Sequence, residues 1–84
     1  MEFPQYRKYK NIATYFIIHS EKRFEEIKVI GSKYAVSEVE AIQFPEQLLI
    51  QDMLENRDGR WETVSASDFS TTINLIKTTK TKIG

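Results

Sequence analysis

The sequence predicts an α+β domain: a small antiparallel β-meander of three to four strands packed by one or two helices. Three observations carry that prediction. Residues 13–42 fall into three consecutive segments of β-forming residues, separated by short polar or glycine-containing turns. Two later segments, 44–56 and 66–78, place apolar residues at helical spacing behind helix-start signals. The chain has only 84 residues, enough for one shallow core and one domain spanning 1–84.

Residues 1–5 form a lead-in delayed by Pro4 and expected to be flexible. YRKYKN (6–11) interleaves tyrosines with basic residues. In an extended chain Tyr6, Lys8 and Lys10 face one way and Arg7, Tyr9 and Asn11 the other. The tyrosines therefore do not form one stacking platform. The stretch is expected to be an edge strand or a strand lead-in, its lysines guarding an exposed edge. ATYFIIH (13–19) is aromatic and β-branched, with Ala13, Tyr15, Ile17 and His19 on one face and Thr14, Phe16 and Ile18 on the other. Apolar residues on both faces make it a central strand, or one covered on both sides. RFEEIKVIG (23–31) puts Glu25, Ile27 and Val29 on one face and Phe24, Glu26, Lys28 and Ile30 on the other. Gly31-Ser32 supplies a hairpin turn, because glycine reaches positive φ without penalty. KYAVSEVEAI (33–42) completes the meander, with Tyr34, Val36, Glu38, Glu40 and Ile42 on a common face.

FPEQLLIQDMLEN (44–56) admits a strand over 48–54, but a helix fits better. Pro45 suits the first helical positions, Leu49, Ile50, Met53 and Leu54 recur at helical spacing, and Asn56 can close the helix in the left-handed conformation. Asn56-Arg57-Asp58-Gly59 is a turn, and RWETVS (60–65) a short strand. Ser65 caps the next helix and Asp68 sits at N3, where its charge meets the helix dipole. Phe69, Thr72, Ile73 and Ile76 form the buried stripe of that helix. Thr78, Thr79 and Thr81 are weak helix formers, so residues 79–84 are expected to fray into a flexible basic tail. The sheet is expected to carry its helices on one face.

Lys plus Arg and Asp plus Glu are both 12, so the formal net charge is zero. The charge is segregated: seven basic and four acidic residues give +3 over 1–34, two and seven give −5 over 35–62, and three and one give +2 over 63–84. That balance argues against a dedicated nucleic-acid binder, which carries a clear basic excess. The residues that would make such contacts are Arg7, Lys8, Lys10, Lys77 and Lys80. There are no cysteines, which excludes a disulfide framework, a thiolate metal site and a cysteine nucleophile. The N-terminal segment has no apolar h-region, and the longest apolar run, Tyr15 to Ile18, is too short to cross a bilayer. These features suit a cytoplasmic protein.

Chemistry-bearing residues are sparse. His19 is the only histidine. Its sequence neighbours Ser20 and Glu21 cannot all converge with it in a strand, so no triad forms. Glu38 and Glu40, at i and i+2, lie about 6–7 Å apart on one strand face. With Glu26 and Lys28 across the hairpin, they are better explained as a solvated surface. His19, Glu38 and Glu40 are the candidates for a ligand or surface site. No metal-ligand spacing, glycine-rich phosphate loop or nucleophile system is present. The sequence thus assigns no catalytic residue, no metal and no cofactor. The aromatics serve the core rather than a base-stacking surface.

YRKY (6–9), FEEI (24–27), IGSKY (30–34), QDM (51–53) and Trp61 followed by an acidic residue resemble a pattern in short single-domain bacterial proteins with no assigned activity. The resemblance implies a bacterial single-domain protein and carries over no site residue. The expected function is a non-enzymatic interaction module, binding a protein partner or a second copy through a sheet edge. The alternatives are a nucleic-acid-binding domain and a small-ligand carrier or enzyme with its site near His19.

Overall fold

The computed structural model describes residues 2–83. The elements run β1 (Gln5–Tyr9), β2 (Thr14–Ser20), β3 (Arg23–Ile30), β4 (Lys33–Glu40), α1 (Phe44–Glu55), β5 (Trp61–Val64), α2 (Ala66–Thr79) and β6 (Thr81–Lys82). They build an α+β domain on one six-stranded sheet of order β5-β1-β2-β3-β4-β6. Every pairing is antiparallel except β4 with β6. The β2-β3-β4 meander stands where alternation and turn residues put it, with β2 interior. Gly31, at φ 61°, opens the two-residue β3–β4 turn, the type II′ arrangement in which glycine takes the first central position.

The two helices cover opposite faces of the sheet, not one. Strand alternation explains this. Phe16, Ile18 and Phe24 form one core with Ile50 and Met53 of α1 and with Trp61. Ile27 and Tyr34, with half-buried Tyr15, Ile17 and Val36, form a second core with Phe69, Ile73 and Ile76 of α2. A strand apolar on both faces demands cover on both, and a second helix supplies it. The α2 stripe is the expected one, with Thr72 half-buried at its margin. Ser65 Oγ accepts from the Asp68 amide at 3.2 Å, so the expected cap forms.

One further expectation is corrected. YRKY is not an edge: β1 lies between β2 and β5, paired to a strand more than fifty residues away. Tyr6 packs on Phe69 (4.6 Å between centroids), and Tyr9 stacks on Trp61 at 5.7 Å on the opposite face. At the lead-in, Phe3 packs against the first core and Gln5 already belongs to β1. Thr79 ends α2, the Thr81 amide bonds Ser32 O at 3.0 Å, and the Ile83 amide bonds Tyr34 O at 2.8 Å. Residue 84 lies outside the described residues. No described helix is long and apolar enough to cross a membrane.

Candidate functional site: the open edge of β4 and the acidic row beside it

Hydrogen-bond parity around the sheet locates its free edges. In an antiparallel ladder, successive residues bond alternately to one side and the other. The Lys10 amide bonds Arg60 O at 3.2 Å, which places Glu62 and Val64 in bonded pairs with β1. Trp61 and Thr63 therefore turn their backbone groups outward. The outward groups of Trp61 are already taken. Asn56 Nδ2 donates to Trp61 O at 2.7 Å, and Trp61 N–H donates to Asn56 Oδ1 at 3.2 Å. The side-chain amide of Asn56 thus imitates a neighbouring strand and closes half of the β5 edge. Asn56 sits in the left-handed conformation at φ 49°, where it also ends α1, as the sequence predicts.

The opposite edge is different. β4 pairs with β3 in a register that bonds Ala35, Ser37 and Val39 inward. Tyr34, Val36, Glu38 and Glu40 turn their backbone outward. β6 meets β4 only at Lys33 and Tyr34. Among the described residues no backbone bond runs outward from Val36 or Glu38, while Glu40 O accepts from the Ile42 amide at 2.9 Å. The stretch Ala35–Glu40 is therefore a vacant strand edge. At its C-terminal end a cleft of about 480 Å³ is lined by Lys22, Arg23, Glu40, Ala41, Ile42 and Gln47. Ile42 and Phe44, 78% and 69% exposed, follow directly in the chain.

On the α2 side of this edge, charged side chains form a row across three strands. His19 stands at a bulge in β2, where the β2–β3 register shifts between Ile18 and Ser20. His19 shares the face of Ile17, which is directly opposite Glu25, and its Nε2 lies 3.0 Å from Glu25 Oε1. Glu25 is directly opposite Glu38. Two carboxylates at opposed positions repel, and two bases offset this: His19 on Glu25, and Arg23, 3.6 Å from Glu38 Oε1. The carboxylate facing Glu38 is thus Glu25. Glu26 points to the other side of the sheet, with Lys28 at 4.0 Å. Glu40, level with Arg23, extends the row to the strand end. His19, Glu38 and Glu40 are gathered on one face, while Ser20 and Glu21 make no contact with the imidazole.

His19 also borders a cleft of about 340 Å³ between the sheet and α2, lined among others by Tyr6, Ile17, Phe69, Asn74 and Lys77. Among the described residues no three His, Asp or Glu side chains are close enough together to hold a metal ion.

The basic candidates are dispersed. Arg7 is 5% exposed under α1 and is not presented to a phosphate. Its guanidinium donates to Met53 O (2.9 Å), Tyr6 O (2.9 Å) and Gln5 Oε1 (2.6 Å). Met53 belongs to the last turn of α1, whose carbonyls have no partner within the helix, so Arg7 binds the negative end of the helix dipole. Burial lowers its pKa from the ordinary value, although a guanidinium stays protonated in proteins. Lys8 lies 4.0 Å from Glu62 on the α2 face. Lys10 approaches Gly59 at the other end of β1. Lys80 Nζ donates to Gly31 O at 2.8 Å, and Lys77 borders the His19 cleft. These residues occupy both faces and both ends of the sheet.

The sequence missed the buried role of Arg7, the edge-closing role of Asn56 and which edge is open. An arginine within an aromatic strand, without a nearby acid, was the available signal for Arg7. The vacancy had no local signal, because it depends on which strand fails to pair. Comparison with family models, curated proteins and solved structures returns no match.

Proposed function

We propose that this protein is a small non-enzymatic interaction module that receives an extended segment of another protein along the open edge of β4. One observation carries the reading. Ala35–Glu40 offers outward N–H and C=O groups at Val36 and Glu38 with no backbone partner among the described residues, while half of the β5 edge is closed by Asn56. Exposed edges template strand addition, and proteins normally blunt the edges they do not use. The dispersal of Arg7, Lys8, Lys10, Lys77 and Lys80 takes away the basis for a phosphate-binding surface.

The test places a photo-crosslinking residue at exposed Ser37 on β4, and separately at exposed Thr63 on β5. Each protein is irradiated in native lysate. The reading expects a defined adduct from position 37 and none from 63. Adducts from 63 alone, or from neither position, would overturn it.

The cleft beside His19 supports a second reading, a small-ligand carrier. Its volume of about 340 Å³ reaches the lower range of ligand pockets, generally about 300 Å³ and above. A fragment screen by NMR tests it. Shifts confined to Tyr6, His19 and Asn74 would support it, and their absence across the library would remove it.

A further inference from the structure

We infer that the segment received by β4 is a cationic strand from a different protein, and not a second copy of this chain. The inference rests on the docking reading above and deepens it with charge and register.

The outward residues of the vacant stretch are Val36, Glu38 and Glu40. A two-fold dimer through this edge would pair β4 antiparallel with itself. Only residues with outward backbone groups can pair, so the register moves in steps of two. Full overlap sets Glu38 against Glu38 of the second copy and Val36 against Glu40. A step one way sets Glu38 against Glu40. A step the other way drives Glu40 onto Tyr34 of the second copy, whose carbonyl is already held by Ile83. Bonded antiparallel pairs bring Cα atoms to about 5.5 Å, at which like charges directly opposite destabilise the pair. Both sterically open registers therefore oppose carboxylates. An edge left vacant to backbone bonding but barred to its own copy has the form of specificity by repulsion.

The same carboxylates define the guest. Glu25, Glu38 and Glu40 stand on the α2 face against one arginine, Arg23, and the lone histidine, His19. Lys or Arg at alternate guest positions would lie beside Glu38 and Glu40. The intervening positions face Ala35, Ser37 and Val39, where small or β-branched residues fit. The chain itself contains a precedent. The strand already seated on β4 is Thr81–Lys82, from the basic C-terminal segment. Lys82, level with Tyr34, stands on the same side of the sheet as Glu38 and Glu40.

The probe is a fluorescein-labelled peptide, acetyl-Thr-Lys-Val-Lys-Val-Lys-Thr-amide, followed by anisotropy against the full chain. Its partner has Glu in place of every Lys. The cationic peptide is expected to bind and the acidic one not. Glu38→Gln with Glu40→Gln should weaken binding about three- to tenfold, the worth of two exposed charge contacts. Glu38→Pro, which removes an outward N–H and spares the β3 ladder, should abolish it. In light scattering, the wild type is expected to stay monomeric. The double variant Glu38→Thr, Glu40→Thr should dimerise. Equal binding of both peptides, with sensitivity to Glu38→Pro, would overturn the cationic inference and leave the docking edge standing. Binding of neither peptide would overturn both. A wild-type dimer whose nuclear Overhauser contacts join β4 to β4 would overturn the choice of partner.

Discussion

Arg7 and Lys8 are adjacent, both cationic and on one strand, yet the fold assigns them opposite roles. Replacing each with alanine measures the difference. Arg7 carries three hydrogen bonds, two of them to backbone carbonyls, and is almost fully buried. Its removal orphans Met53 O, at about 1–3 kcal/mol for a buried acceptor left unsatisfied, while Tyr6 O keeps its ladder bond to β5. It also leaves a cavity where the aliphatic stem packed. Against this stands relief of the desolvated charge, which has no carboxylate partner. The Met53 carbonyl at the end of α1 is the larger consideration, because the guanidinium is its donor among the described residues. The expected loss for Arg7→Ala is about 3 kcal/mol in urea denaturation. In a domain of this size that lowers Tm by roughly 12–24 °C. Arg7→Met keeps the volume and loses the donors, so it should fall between, at about 1–2 kcal/mol. Lys8 is half-exposed with a 4.0 Å contact to Glu62, and Lys8→Ala should stay within about 0.5 kcal/mol of wild type. If Arg7→Met matched or exceeded wild-type stability, desolvation would outweigh the hydrogen bonds and the capping role would be refuted. If Arg7→Ala cost no more than Lys8→Ala, its burial would be refuted as well.

Three further predictions test the edges and the turns. In amide hydrogen exchange followed by NMR, Val36 and Glu38 should exchange at least about a hundredfold faster than Ala35 and Ser37, because only the latter point at β3. On β5, the Trp61 amide should be protected by Asn56 while that of Thr63 is not. Asn56→Gly should cost about 1–2 kcal/mol for the lost bonds to Trp61. Asn56→Ala should cost roughly 1–2 kcal/mol more, because alanine resists the left-handed conformation; chemical denaturation of the pair separates the two effects. Gly31→Ala places its Cβ in open space but at φ 61°, so thermal unfolding should show a loss of about 1–2 kcal/mol from backbone strain alone.

The extent of legibility differs between elements for a physical reason. The β2-β3-β4 meander, α1 and α2 were readable because their determinants are local. Side-chain period, a glycine turn, Pro45 near the helix start, the Ser65 cap and the Asn56 stop all act within a few residues. Glu38 and Glu40 on one face followed from alternation alone. The sequence by itself determined the α+β class, the order of elements from β2 to α2 and the pairing of helical and strand periods with their buried stripes.

What only the tertiary structure decided involves partners distant in the chain. By its basic residues alone β1 reads as a guarded edge. Its pairing with β5 and the burial of Arg7 against the end of α1 depend on contacts across 46 residues or more. The division of the helices between two faces required knowing that Phe16 and Ile17 each needed a separate cover. His19 meets Glu25, six residues on, because the β2–β3 register sets Ile17 opposite Glu25 and His19 follows Ile17 on that face. The vacant edge of β4 is a property of the whole sheet. Among the described residues β6 pairs with β4 at Lys33 and Tyr34 alone, and a strand's unpaired groups are known only once every other strand has been placed.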